Sequence, residues 1–197
     1  MNSPAALIKR WSFLCELMNK IVLYTLLCGG LLMKSAFAEV DVAFTPSDEC
    51  EQKIIALIDN SQQSIEIAVY SINNENIVAA LERAKERKVT IRILTDKRQA
   101  AMKSSKVTQM HDSGFDIRVH TKNKIEHNKF AVFDGKELTT GSFNWTNAAS
   151  DKNSENCMFF KHEQEQVQKF RNRFEELWKI NTQAKSEEWF AKRKAKY

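Results

Sequence analysis

At 197 residues, 43% of them hydrophobic and 28% charged, with a formal net charge of +5, the chain is long enough for one domain with a sizeable core. It carries no internal repeat, low-complexity tract or Pro/Gly-rich linker. No Cys/His cluster at zinc spacing and no Asp-rich loop marks a metal site, so no metal or cofactor is expected.

Residues 21–33 form a 13-residue apolar run with two glycines, shorter than the ~20 residues of a membrane span. With Lys20 before it and the small-x-small pattern Ala36-Phe37-Ala38 behind it, the run reads as the core of a secretory signal. Residues 1–38 are therefore expected to be removed. A single domain at 39–197 is left, periplasmic or secreted, with no stable membrane association; an uncleaved anchor is the alternative. Residues 1–17 are long for the charged start of a signal, whereas Met18-Asn19-Lys20 makes a conventional one, so either translation begins at Met18 or the upstream piece is dispensable. Leu27 before Cys28 speaks against lipoprotein processing. Loss of residues 1–38 takes away four basic residues and one acidic residue, lowers the charge to +2, and leaves Cys50 and Cys157. An oxidising compartment permits a disulfide between them; the sequence leaves this open against two buried thiols.

Ser47 to Asn60 reads as a helix with Ser47 as N-cap and Ile54, Leu57 and Ile58 on one face. Ser64 to Ser71 is strand-like. Asn74 to Lys88 carries a helical stripe of Ile77, Ala80, Leu81 and Ala84, and Val89 to Leu94 is again strand-like. Lys97 to Ser113 is expected to be helical and Asp116 to His120 a strand. Between Lys85 and Lys106 eight basic residues are offset only by Glu86 and Asp96, and Lys122 and Lys124 follow; such clusters bind a polyanion backbone or simply solvate a helix. Two strands, about 128–133 and 137–143, flank the turn signal Asp134-Gly135. Asn156 to Phe160 is a further strand. Glu163 to Ile180 closes the domain as an amphipathic helix with Val167, Phe170, Phe174 and Leu177 inward. Strand-helix-strand order predicts an α/β fold with a mixed, mostly parallel central sheet and helices on both faces.

Strand alternation puts His127 and Lys129 on one face and Phe130 and Val132 on the other, and groups Thr140, Ser142 and Asn144 on the return. A phosphodiester repels nucleophiles, and its transition state gathers charge on the non-bridging oxygens, so preplaced cations and hydrogen-bond donors accelerate its cleavage. Lys129, Ser142 and Asn144 supply them, and a neutral imidazole at His127 can attack phosphorus. Asp134 has the wrong parity to join His127 and takes a turn position where Asp bonds backbone amides.

His127, Lys129 and Asp134, followed by Gly141, Ser142 and Asn144, fit the patterns H-x-K-x4-D and G-S-x-N, and in them the chain resembles the phospholipase D superfamily. The flanks Gly141 to Thr146 and Asn153 to Asn156 are similar to its small bacterial endonuclease branch, the secreted Nuc-type nucleases. The resemblance runs from about Phe44 to Leu177. It implies a metal-independent phosphodiesterase working through a phosphohistidine. His127 is then nucleophile or acid, Glu155 orients it, Lys129 and Asp134 complete the catalytic motif, and Lys129, Ser142 and Asn144 bind phosphate.

Only one full motif is present. His120-Thr121-Lys122 begins like another, but His127 stands where Asp is needed. A leaving oxygen still requires an acid. Single-motif members of that family pair two chains, so a homodimer with one composite site is expected. The leading functional expectation is a non-specific endonuclease acting on DNA, with RNA as a further substrate, and nucleic acid as its partner. A phospholipase D-type lipid phosphodiesterase is the alternative, with less room in so short a chain for lid elements. A nucleic-acid-binding protein with a dead site comes third.

Overall fold

The computed structural model describes residues 16–18 and 38–195. The expected signal, with its apolar run at 21–33, falls outside the described residues but for Glu16–Met18 and Ala38. The elements follow in the order β1 (Glu39–Phe44), α1 (Glu49–Asn60), β2 (Ser64–Val69), α2 (Glu75–Glu86), β3 (Thr90–Asp96), α3 (Lys97–Ala100), α4 (Val107–Asp112), β4 (Asp116–His120), β5 (Lys129–Phe133), β6 (Glu137–Gly141), α5 (Asn147–Asp151), β7 (Asn156–Lys161), α6 (Gln164–Ile180) and α7 (Gln183–Lys194). No helix among the described residues is long and apolar enough to cross a membrane.

The strands form one sheet in the order β1-β7-β6-β5-β2-β3-β4. Only β2–β3 and β3–β4 are parallel; β1–β7, β7–β6, β6–β5 and β5–β2 are antiparallel. The expected mostly parallel sheet is thus corrected to a mostly antiparallel one. Helical crossovers make parallel neighbours of three strands alone, because β5 and β6 reverse direction by a turn, β6 and β7 by a loop that carries α5, and β1 joins the outer edge against β7. The sheet is buried on both faces. Ile67, Ile93 and Ile117 pack with Ile54 of α1, Leu81 of α2, Met110 of α4 and Phe190 of α7. Ala68, Leu94, Phe130 and Val132 pack with Val167, Phe174 and Leu177 of α6.

Two local readings also change. The helix expected over Lys97 to Ser113 is two short helices, and in the break between them the Lys106 N–H donates to the Ile72 carbonyl (3.1 Å). Ser47 stands outside α1, whose N-cap is Asp48, and its hydroxyl donates to the Phe44 carbonyl (2.7 Å). Cys50 and Cys157 are joined by a disulfide, with a Cα–Cα distance of 6.0 Å, that ties α1 to β7.

Candidate active site

The carboxyl ends of β2, β3, β4 and β6 and the amino end of β5 lie on one edge of the sheet, as the pairings require. Ligands of α/β sheets bind outside such an edge. Here His127, Lys129, Gly141, Ser142, Asn144 and Glu155 line one open cleft.

His127 is exposed, immediately before β5, and its ring centroid lies 4.7 Å from that of Tyr70 at the end of β2. Lys129 Nζ donates to the His127 carbonyl (2.7 Å) and stands 5.1 Å from the Tyr70 ring centroid. Burial pulls the Lys129 ammonium below its ordinary range, although the charges of Glu155 and Glu126 act the other way. Tyr70 Oη accepts from Gln99 Nε2 (2.9 Å), which steadies the ring as a wall beside His127 and Lys129. Tyr70 was not singled out from the sequence; its place at the carboxyl end of a strand is the signal that points to it.

The second half of the cleft is built where β6 stops. Paired residues share a face, and Phe130 pairs with Thr140, so Thr140 belongs to the α6 face, away from Lys129. Ser142 and Asn144 reach the cleft because they follow the strand end, not because they share a pleat with Thr140. Gly141 makes the departure: its φ is +151°, and a Cβ there would meet the Asn156 carbonyl oxygen at 2.3 Å. Ser142 and Phe143 N–H both donate to that same oxygen (3.0 and 3.2 Å). Phe143 and Trp145 are buried in the core and anchor the loop.

Ser142 Oγ donates to Glu155 Oε2 (2.5 Å) and accepts from the Asn156 N–H (3.0 Å). Glu155 Oε1 accepts from Asn153 Nδ2 (2.9 Å). Glu155 therefore holds the loop bearing Ser142, and among the described residues no hydrogen bond joins it to His127. Asn144 lines the cleft, and its Oδ1 is buried without a hydrogen-bond partner among the described residues.

Asp134 stands apart. Its carboxylate accepts from the backbone N–H of Gln62, Gln63 and Ser64 (2.9, 2.8 and 2.9 Å) at the opposite end of β5. Seven residues of extended chain separate it from His127, roughly 20 Å. The other histidines are also elsewhere: His111 stacks on Phe190 (3.7 Å), His120 is buried, and His162 lines a separate hollow with Leu57 and Gln164. Among the described residues, no group of three or more His, Cys, Asp or Glu side chains is arranged to hold a metal ion. Of the basic residues, Arg98, Lys103, Lys122 and Lys124 are exposed. Arg92 is spent on ion pairs with Glu66 and Glu175, and Lys106 on one with Glu75.

The arrangement offers an exposed imidazole, an ammonium, a hydroxyl and an amide around one space, the groups needed to attack and stabilise a phosphate ester. A family model described as cardiolipin synthase, PLD-like domain, matches residues 54–178. The chain is 33% identical over 125 residues to phospholipase D of Rickettsia typhi, covering 64% of this chain and 61% of that protein. It is 29% identical over 132 residues to mitochondrial cardiolipin hydrolase of Xenopus tropicalis, covering 67% and 62%. It thus spans less than two thirds of the length of these curated relatives. Among solved structures, Nuc from Salmonella typhimurium, a phospholipase D family member, superposes with a TM-score of 0.69 at 29% identity, covering 73% of this chain and 95% of that one. NucT from Helicobacter pylori shares the fold, with a TM-score of 0.64 at 21% identity over 72% and 96% of the two chains.

Proposed function

Because the chain belongs to the phospholipase D superfamily and carries its phosphodiester-hydrolase domain, we propose that it hydrolyses phospholipid phosphodiesters through His127, without a metal, at a site completed by a second copy of the chain. The observation that carries the reading is the meeting of His127, Lys129, Ser142, Asn144 and Glu155 at one cleft. An imidazole nitrogen bonds to phosphorus while the bond to the leaving oxygen breaks, and that oxygen takes a proton. Water then displaces the imidazole, releasing the phosphomonoester. Lys129, Ser142 and Asn144 bear on the non-bridging oxygens, where charge accumulates. The proton donor is read as His127 of the second copy, since no other histidine of the described chain lines the cleft. Asp134 has no part in this reading.

The lipid substrate is favoured by the relatives, named phospholipase D and cardiolipin hydrolase. A second reading, cleavage of DNA or RNA, is favoured by the likeness to Nuc over nearly all of that chain, by motif flanks that resemble the small endonuclease branch, and by the exposed basic residues Arg98, Lys103, Lys122 and Lys124. The disulfide supports export to an oxidising compartment, periplasmic or extracellular.

The purified protein, in excess EDTA, is to be given phosphatidylcholine vesicles, plasmid DNA and RNA. Headgroup release with intact nucleic acid, reduced at least about 10²-fold in His127→Ala, is the expected result. Nicked plasmid or cut RNA without headgroup release would transfer the function to the second reading. Full activity of His127→Ala would end both.

A further inference from the structure

A buried carboxylate stands one residue before His127. Glu126 is 2% exposed, and Asp96 and His120, at the ends of β3 and β4, are each 1% exposed. Buried ionisable groups are kept only when their bonds do something, and none of the three lines the cleft.

Their bonds form a chain. Asp96 Oδ1 accepts from the Arg98 and Gln99 N–H groups (2.8 and 3.1 Å), capping α3, and its Oδ2 accepts from the Glu126 N–H (3.1 Å). Glu126 Oε1 accepts from the Asn128 backbone N–H (3.1 Å) and from Asn128 Nδ2 (2.5 Å). Glu126 Oε2 faces His120 Nδ1 at 3.8 Å, beyond hydrogen-bond reach, and that nitrogen is buried without a hydrogen-bond partner among the described residues. His120 Nε2 accepts from the Asn123 N–H (2.5 Å). A backbone N–H only donates, so His120 Nε2 presents its lone pair to Asn123. The segment 121–128, which crosses the sheet edge from β4 to β5, is thereby fixed at Asn123, Glu126 and Asn128. The Glu126 and Asn128 anchors stand on either side of His127, whose own ring makes no hydrogen bond among the described residues and packs beside Tyr70.

We propose that Glu126, held by Asp96 and bonded to Asn128, is the positioning residue that aims the His127 imidazole at phosphorus. It acts through the backbone and does not touch substrate. The inference rests on reading His127 as the reacting group. A nucleophile needs placement to a fraction of an ångström, and a misplacement of about 1 Å costs on the order of 10²-fold in rate.

Turnover of bis-p-nitrophenyl phosphate, a diester neutral between lipid and nucleic acid, is to be measured in Glu126→Ala, Glu126→Gln and Glu66→Ala. Glu66 is an equally buried carboxylate, 2% exposed, paired with Arg92 on the α6 face. Glu126→Ala is expected to lose about 10- to 100-fold in kcat with KM little changed. Glu126→Gln, which keeps the Oε1 acceptor, recovers most of the loss, and Glu66→Ala lowers stability but leaves kcat alone. The ring 13C resonance of His127 moves in Glu126→Ala and stays in Glu66→Ala. If Glu126→Ala does not fold, Asn128→Ala, which removes one of the two donors, takes its place. Wild-type kcat with an unmoved His127 resonance, or an equal loss of kcat in Glu66→Ala, overturns the proposal. Should His127→Ala retain turnover, the reading of His127 falls instead, and the resonance alone decides the role of Glu126.

Discussion

His127 and Asp134 belong to one sequence pattern, yet they occupy opposite ends of β5. The hydrogen bonds say what Asp134 does: it ties the β5–β6 turn to the amides of Gln62, Gln63 and Ser64, about seventy residues away. Burial opposes ionisation of its carboxyl, but the three amide donors outweigh burial and hold it below the usual carboxylate range. A depressed value means that the stabilisation is present above the unfolded-state pKa of about 4 and is lost as pH falls through the lower folded value. Because the bonds are partly open to solvent, Asp134→Asn is expected to cost about 1–2 kcal/mol at pH 7. The variant also flattens the acid limb of stability below about pH 4. Turnover per folded molecule stays at the wild-type level. Urea unfolding at pH 7 and pH 3, beside a diester assay, checks all three; wild-type stability with lost turnover would return Asp134 to the chemistry.

At the scale of elements, legibility followed how much of the burial pattern was local. The stripe Ile54, Leu57, Ile58 gave α1, and Val167, Phe174, Leu177 gave α6, because each helix buries one apolar face. α7 buries only Ser186 and Phe190, with Trp189 partly covered beside them, too little for a stripe. Its position depends on tertiary contacts such as the Ser186 hydroxyl accepting from the Val119 N–H (3.1 Å). In β1 the pattern is inverted, with Ala43 buried and Val40, Val42 and Phe44 exposed, so hydrophobicity marks the wrong face. The motif residues of the cleft were legible, but the pleat grouping Thr140 with Ser142 was not, since Gly141 ends the strand between them. Nor was the pairing of Cys50 with Cys157, which depends on α1 packing against a sheet whose order no local pattern states. That bond closes a loop of 107 residues. Its removal in Cys50→Ser/Cys157→Ser is expected to cost about 2–5 kcal/mol, read as a lower denaturation midpoint that reductant no longer shifts. A midpoint equal to that of the oxidised wild type would mean that α1 and β7 are held by packing alone.

At the scale of the whole molecule, the described residues leave a surface that a lone copy does not explain. β1 is an outer strand of the sheet, and Val40, Val42 and Phe44 stand exposed in a row along it (48%, 43% and 65%). Phe160 and Met158, only partly covered, stand opposite Val40 and Val42 on β7. An unpaired edge with an apolar row favours association. Phe44 pairs with Asn156, next to Glu155 of the cleft, so the row ends beside the site. A two-fold contact made there is self-complementary and would supply the second copy that the proposed function calls for. Val42→Asp places a charge on the solvent-facing side of β1 and leaves the core untouched. By sedimentation the wild type is expected to be a dimer and Val42→Asp a monomer, with turnover of a simple diester reduced at least about 10²-fold and circular dichroism unchanged. Raising the concentration of Val42→Asp should recover dimer and turnover together. A monomeric wild type at full turnover would remove both the interface and the shared site.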